Sequence, residues 1–344
     1  MAYQNVGTPR FYINVLEWLA SNGAITLPLT SDDGFQHTDL FRTLPVIPEF
    51  LVHTYWAFAS DSPVDVFNAK SFFAILGLKR QDDTVFVPTY RPNLVDNYFI
   101  ELDGEISINN SQAPDDLGIY TQLIAPYNGF SIGSFDATSY GEVGFRIDNT
   151  STGIESGVAV GSVILGTYFD MPHSPDLKLT MTREMDGVKR MRTKGGSDLV
   201  NHKYIKPAMW GDAGAWELYE GVSRLQKLSR SGRISWDLSF SYLQDSDIFP
   251  DVSSLRNHET ISPDGVTWDD SMSPTDNTIL NEDTFYSQVI HKTNGGQLPF
   301  IFQPDNSNNN IDQFAICKFD MNSFEFEQVA NGIYNIKLKI REVW

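Results

Sequence analysis

The sequence predicts a mainly β protein with two β-rich parts. Aromatic residues are abundant, with 23 Phe, 14 Tyr and 7 Trp among 344 residues, and flat rings pack well on a pleated sheet. Short runs of alternating apolar and polar residues recur along the chain, separated by Gly, Asn, Asp, Ser and Pro, as is typical of strands joined by turns. We therefore expect a β-sandwich module, jelly-roll or galectin-like, and a second β-rich domain with one α-helix.

Residues 1–84 are predicted to form a mixed N-terminal segment. Residues 10–21 (RFYINVLEWLAS) carry apolar side chains at helical spacing, and Asn22-Gly23 would end that helix. Residues 64–83 (VDVFNAKSFFAILGLKRQDD) also suggest a helix, ending at Gly77. The first residues lack the basic and apolar regions of a secretory signal. No run approaches the ~20 apolar residues of a membrane span, so none is predicted.

Residues 85–170 are predicted to form the sandwich module. Four runs have the composition of strands, namely NYFIELDGEISIN, GFSIGSFDA, EVGFRIDN and SGVAVGSVILGTYFD. Jelly-roll modules often bind sugars, because the C–H faces of a sugar stack on aromatic rings. Carbohydrate binding is therefore one expectation, and half-buried packing residues are the alternative reading of the same rings. The candidates are Tyr120, Tyr127, Tyr140 and Tyr168.

Residues 171–344 are predicted to form the second β-rich domain. Asp186-Gly187 between two alternating segments predicts a hairpin turn, and leucines and a valine at helical spacing predict a helix over 216–230. Residues 234–242 (ISWDLSFSY) alternate strictly and give the clearest strand prediction. Residues 334–344 (YNIKLKIREVW) predict a strand with one apolar and one cationic face.

The charge of the chain is strongly negative and unevenly distributed. The net charge of −19 argues against nucleic acid as a partner, because phosphates would be repelled. Residues 178–233 nevertheless hold 12 Lys and Arg against 6 Asp and Glu, whereas the remaining chain holds 13 against 38. Such a division suits association between unlike faces of identical subunits. A solvated basic hairpin is the alternative reading.

Motifs of known chemistry are missing from the sequence. The six histidines have no metal-binding spacing, and no nucleophile elbow, phosphate loop or dinucleotide fingerprint occurs. The single cysteine, Cys317, lies in an apparent strand and is expected to be a small buried hydrophobe. The carboxylates are too numerous for any pair to be singled out as a glycosidase site. The prediction is a protein that is not an enzyme and uses no metal or cofactor, and a glycan depolymerase is the enzymatic alternative.

The C-terminal half resembles the belt domain of distal tail proteins and related minor tail or baseplate proteins of tailed bacteriophages. The resemblance covers 171–344 and rests on an aromatic strand after a basic residue, a Pro-Phe-apolar-Phe-x-Pro stretch at 299–304, a short strand, and a closing strand ending near Glu342. It implies a belt-type domain and a structural virion protein of the tail. Such a protein forms a ring, usually of six copies, that connects the tail tube to the hub or host-attachment parts.

The resemblance also implies where subunits would meet. The partners would be further copies, other tail or baseplate proteins and a host surface glycan, with assembly in the host cytoplasm. A carbohydrate-binding or adhesion module, a tail-fibre component and a capsid decoration protein are the alternative functions. The candidate interface residues are the cations of the hairpin and of the last strand: Lys189, Arg190, Arg192, Lys194, Lys337, Lys339 and Arg341.

Overall fold

The computed structural model describes a large part of the chain, with gaps between the described segments. The described residues are 7–23, 42–43, 49–51, 55–58, 67–78, 84–91, 100–101, 123–124, 129–135, 142–149, 158–160, 162–184, 189–201, 209–210, 213–214, 233–250, 279–280, 282–308 and 313–343. The predicted helix over 216–230 lies outside them, as do Tyr120, Tyr127 and Tyr140.

The described residues form strands and a few short helices. In the first half of the chain the strands are β1 Arg10–Asn14, β2 Glu49–Leu51, β3 Tyr55–Phe58, β4 Ser71–Leu78, β5 Thr84–Arg91, β6 Ile100–Glu101, β7 Leu123–Ile124, β8 Gly129–Phe135, β9 Glu142–Asn149, β10 Val158–Val160 and β11 Ser162–Asp170. In the second half they are β12 Thr180–Glu184, β13 Lys189–Arg192, β14 Asp198–Asn201, β15 Met209–Trp210, β16 Ala213–Gly214, β17 Arg233–Gln244, β18 Phe300–Gln303, β19 Ala315–Phe319, β20 Phe326–Ala330 and β21 Ile333–Glu342. The helices are α1 Val15–Ser21, α2 Asp245–Ile248, a π-helix Tyr286–Ile290 and a 3₁₀ turn His291–Thr293.

A ten-stranded antiparallel sheet organises the fold. Its strand order is β12-β17-β21-β19-β18-β1-β11-β4-β8, and β20 also pairs with β21. A five-stranded sheet contains β3, β5, β6, β7 and β9, and three two-stranded sheets pair β2 with β10, β13 with β14 and β15 with β16. The mainly β prediction is therefore confirmed.

One face of the large sheet is covered by the short helices. Phe11 of β1 lies near its centre, with ring centroids 5.2 Å from Phe302 and 5.8 Å from Phe285, which precedes the π-helix. Phe249, after α2, packs edge-on against Tyr334 of β21 at 5.3 Å. We call this the helix-covered face. Apolar side chains from six neighbouring strands, β17 to β11, meet on it, so burial on this face connects strands that are distant in sequence.

The opposite face of the sheet changes character from one side to the other. Near β4 and β11 it carries a second apolar cluster that includes Tyr12, Phe72 and Ile164. Near β17 and β21 the same face carries the polar and charged residues that alternate with the core residues, such as Asp237 and Lys339. The central strands are therefore buried on both faces, whereas the β12 side is apolar on one face only.

The predicted helix over residues 10–21 is half right. Residues 15–21 are helical, but Arg10–Asn14 form strand β1, which pairs with β11 and β18. The boundary is a helix cap, because the Asn14 side chain accepts a hydrogen bond from the backbone N–H of Glu17 at 3.3 Å. The Glu17 carboxylate in turn accepts the backbone N–H of Thr43 at 2.9 Å.

The predicted helix over 64–83 is wrong. Ser71–Leu78 form strand β4, which lies between β11 and β8. Phe72 and Phe73 are both fully buried although successive strand residues face opposite sides. A strand that is buried on both faces has no alternation, so its periodicity does not distinguish it from a helix.

The predicted boundaries at 84/85 and 170/171 do not coincide with the sheets. Strands β8 and β11, from the expected sandwich over 85–170, lie in the large sheet together with β1 and β4 from the N-terminal segment and with the C-terminal strands. Strands β6 and β9 from the same region lie in the five-stranded sheet. A sandwich over 85–170 is therefore not confirmed.

Two local expectations within the C-terminal half are corrected. The strands on either side of Asp186-Gly187, β12 and β13, were expected to pair with each other. Among the described residues β12 pairs with β17 and β13 pairs with β14. In β17 the alternation holds through Phe240, but the register shifts between Phe240 and Leu243. Tyr242 has φ 64° and is 76% exposed, and Leu243 takes the inward position instead, as a β-bulge produces.

Candidate interaction surface

A basic hairpin, formed by β13 and β14, follows β12 in the sequence. We call residues 189–201, which contain β13 and β14, the basic arm. Lys189 pairs in register with Asn201 and Met191 with Leu199. Nearly every residue of the arm is exposed on both strands, and the arm holds four cations and one carboxylate. The structure thus brings the four predicted hairpin cations together on one exposed element.

The arm also carries apolar side chains that the sequence analysis did not single out. Met191 is 68% exposed and Leu199 is 58% exposed. Because they are opposite each other in the register, they lie on one face of the hairpin. The sequence shows a Met and a Leu within a polar hairpin. The alternation of residue types alone does not tell whether the rest of the protein buries these two side chains.

Strand β12 forms one end of the large sheet. Among the described strands it pairs only with β17, and most of its side chains are exposed. An open edge presents unpaired backbone N–H and C=O groups and is a natural place for another chain to add. The edge strand and the basic arm therefore occur within one short stretch of chain.

An apolar groove with a volume of about 480 Å³ opens beside this edge strand. Its lining includes the buried side chains of Trp236, Leu238 and Phe302, together with Met181 and Arg183 of β12. The Trp236 and Phe302 rings meet edge-on with centroids 5.3 Å apart. Three prolines also line it: Pro9, Pro175 and Pro304. We call this cavity the apolar groove, and it has the size and lining of a binding site.

The cations of the last strand lie against acids of the same chain. Arg341 donates from Nε and Nη2 to Oε2 of Glu184 at 2.9 and 2.5 Å, and Lys339 lies 2.7 Å from Asp320. The hydrogen bond and charge of Asp320 raise the pKa of Lys339. Lys337 is exposed on the same face. The basic face of β21 is therefore met in part by this chain's own carboxylates.

We expect Glu184 and Arg341 to be coupled in stability. The pair connects β12 to β21 across β17 and is about one-third exposed, so a double-mutant cycle of Glu184→Gln and Arg341→Met should give a coupling of roughly 0.5–1 kcal/mol in the free energy of unfolding. Urea unfolding of the four proteins measures it. A coupling of zero would contradict this expectation and would mean that the ion pair adds nothing to the stability of the folded chain.

Tyr168 is the one carbohydrate-binding candidate within the described residues. It is half-buried on β11, and the Arg10 guanidinium lies over its ring at 4.2 Å. Arg10 is held there by Asp170, whose carboxylate oxygens accept its Nε at 2.6 Å and its Nη2 at 2.9 Å. One face of the Tyr168 ring is thus occupied by a cation of the same chain, which fits the packing alternative.

Several ionisable groups are buried in the core. The Lys292 ammonium donates to Gln288 Oε1 at 2.7 Å and lies 3.5 Å from Thr167 Oγ1; burial lowers its pKa to about 7, while the charge of Asp283 acts in the opposite direction. Burial raises the pKa of the Cys317 thiol, which suits the predicted packing role, since the thiolate is the nucleophilic form. Burial likewise raises the pKa of Tyr12 to about 12.

Within the described segments no three His, Cys, Asp or Glu side chains converge as a metal site. Among the helices of those segments, none has the length and apolar character to cross a bilayer.

Comparisons with known proteins add no further assignment. Models of known families, curated proteins and solved structures all gave no match to this chain. The inference of function therefore rests on the chain's own sequence and geometry.

Proposed function

We propose that this protein is a structural subunit of a bacteriophage tail tip or baseplate. In this proposal several copies, six by the resemblance of residues 171–344, form a ring that joins the tail tube to the hub or host-attachment parts. The protein acts by assembly and carries out no reaction. Its place is the virion tail, reached by assembly in the host cytoplasm.

The observation that carries the proposal is the exposed basic arm on an otherwise acidic chain. An isolated two-stranded hairpin is marginally stable in water, and this one exposes apolar and cationic side chains together. A hairpin of this kind gains stability when it lies against another surface. Because the rest of the chain is strongly acidic, a second copy offers a surface of the opposite charge.

The position of β12 at the edge of the large sheet, as the described strands define it, and the resemblance at 171–344 add support. The edge lies directly before the arm, so both features are in position to meet a neighbouring subunit. The alternatives, a carbohydrate-binding or adhesion module and a fibre or capsid decoration protein, stay predictions.

The test is the assembly state of the purified full chain at low and at high salt. We expect negative-stain electron microscopy and mass measurement to show closed rings of several copies at low salt. The double reversal Lys189→Glu with Arg190→Glu should raise the protein concentration needed for assembly by roughly tenfold, and added salt should reduce the difference.

The comparison variant is Lys337→Glu, which reverses an exposed cation on the last strand. A smaller effect of this change would locate the electrostatic contact on the arm, and a larger one would locate it on the terminal strand. A single copy at every salt and protein concentration would contradict the proposed ring.

A further inference from the structure

We propose that the apolar groove of one copy receives the Met191 and Leu199 face of the basic arm from a second copy. This inference rests on the proposed function, because it requires copies of the chain to associate. It adds the contact itself: the arm is the inserted element, and the groove beside β12 is its receptor.

The arm has the features of an inserted element. Its two apolar side chains face the same way on one hairpin, and each is more than half exposed. By the register of the hairpin, Lys189 lies on the same face as this pair, whereas Arg190 and Arg192 lie on the opposite face. An apolar pair with a cation beside it supplies the desolvated core and part of the polar rim that a protein–protein contact requires.

The groove has matching chemistry. Its deep lining is aromatic and aliphatic, through Trp236, Leu238 and Phe302. At its edge Met181 is 55% exposed, and Leu177, close by in sequence, is 86% exposed. Exposed apolar side chains beside an open apolar cavity indicate a surface that is covered by a partner. A volume of about 480 Å³ is ample for the Met191 and Leu199 side chains.

Charge selects a second copy as the occupant. The arm contributes four cations and one carboxylate, whereas the rest of the chain contributes 21 cations and 43 carboxylates. A second copy approaching through its arm therefore brings positive charge to a strongly negative body, which favours and orients the encounter. Among the described residues that line the groove, one is a cation and one is a carboxylate, Arg183 and Asp305, so these residues leave the lining close to neutral.

Within a single chain the arm and the groove do not cover each other. Met191, Leu199 and Met181 are all exposed in the same structure. The contact between the arm and the groove is thus available to a neighbouring copy. When the arm of one copy lies in the groove of a second, one arm and one groove stay unoccupied at the two ends. Such a head-to-tail interface forms a ring when the rotation between copies divides a full turn, and a filament otherwise.

The experiment is a cross-link between two variants of the full chain, each of which carries one introduced cysteine. One variant carries Met181→Cys in the groove lining, and the other carries Leu199→Cys on the arm and a size tag. The native Cys317 is fully buried, so it is protected from a short bismaleimide in the folded protein. Because each cysteine is on a different chain, the tagged-to-untagged product forms only between copies. We expect it to form in high yield.

The matched control replaces the groove cysteine by Val329→Cys, which is exposed on β20 away from the groove lining. Equal or greater cross-linking of Leu199→Cys to Val329→Cys would overturn the inference. So would rings that form without a cross-link to Met181→Cys, and in that case the proposed function would stand. A chain that stays monomeric would overturn both.

A second measurement uses a variant that lacks the apolar pair and carries no introduced cysteine. The double variant Met191→Ser with Leu199→Ser should raise the concentration at half-assembly by roughly 10- to 100-fold, because two apolar side chains lose their burial. Val329→Ser serves as its control and should leave that concentration unchanged. Both changes lie on exposed residues, so the thermal unfolding midpoint of the monomer should not move. An unchanged half-assembly concentration for the double variant would contradict the insertion of these side chains.

Discussion

Replacing Gly166 by alanine should destabilise the protein by about 3 kcal/mol. Gly166 lies on β11 opposite Asn14 of β1. A Cβ built at Gly166 would overlap the backbone carbonyl oxygen of Ile13 and would lie only 3.0 Å from the backbone nitrogen of Val15. Backbone atoms cannot rotate away, so β1 and β11 would have to separate at the centre of the large sheet. Urea unfolding followed by tryptophan fluorescence measures the change.

The control for this prediction is Gly195→Ala in the turn of the basic arm. The nearest heavy atom to a Cβ there is Thr193 Oγ1 at 4.0 Å, so the free energy of unfolding should change by no more than about 0.5 kcal/mol. If the two alanine variants lost similar stability, the cause would be the general cost of replacing glycine. The close approach of β1 to β11 would then have no special role.

The stability of the protein should rise between pH 7 and pH 9, and Lys292 should be responsible for about 2 kcal/mol of that rise. The pKa of Lys292 falls from an ordinary value of 10.5 to about 7 because the ammonium is fully buried. Between those values the unfolded chain binds the proton and the folded chain releases it. Raising the pH therefore favours the folded state, and below pH 7 the contribution becomes constant.

The measurement is the free energy of unfolding against pH for the wild type and for Lys292→Met. The difference between the two curves should show the rise, because methionine does not titrate and has a similar apolar stem. Lys178→Met removes an exposed lysine and serves as the matched control for the substitution itself. Parallel curves for the wild type and Lys292→Met would show that Lys292 stays charged in the folded protein.

Strands with one solvated face were predicted well from the sequence. In β21 the residues Tyr334, Ile336, Leu338 and Ile340 are buried and alternate with Lys337 and Lys339, which are exposed. In such a strand the alternation of apolar and polar residues along the sequence matches the alternation of buried and exposed positions. In strand β4 the side chains on both faces are buried, so its residues do not alternate in type, and its sequence predicts a helix instead. The bulge at Tyr242 depends on the partner strand, which local alternation does not reveal.

The candidate surface was predicted only in part. The basic hairpin is visible in the sequence because four cations lie close together along the chain. The apolar groove is not, because its lining comes from separate segments, including Pro9, Met181, Trp236 and Phe302. Each of these residues alone is an ordinary core or loop residue. The sequence also does not reveal that two of the predicted interface cations, Lys339 and Arg341, lie against Asp320 and Glu184 of the same chain.

The sequence by itself determined the mainly β class, the alternation of β17 up to its bulge and of β21, the burial of Cys317 and the uneven charge. These properties follow from composition and from the order of neighbouring residues, so they need no knowledge of distant contacts. Only the tertiary structure decided which strands share a sheet, where the helix-covered face and the groove lie, and which cations have internal partners. The physical reason is that strand pairing and burial join residues such as Arg10 and Asp170, 160 positions apart, and no local pattern encodes that choice.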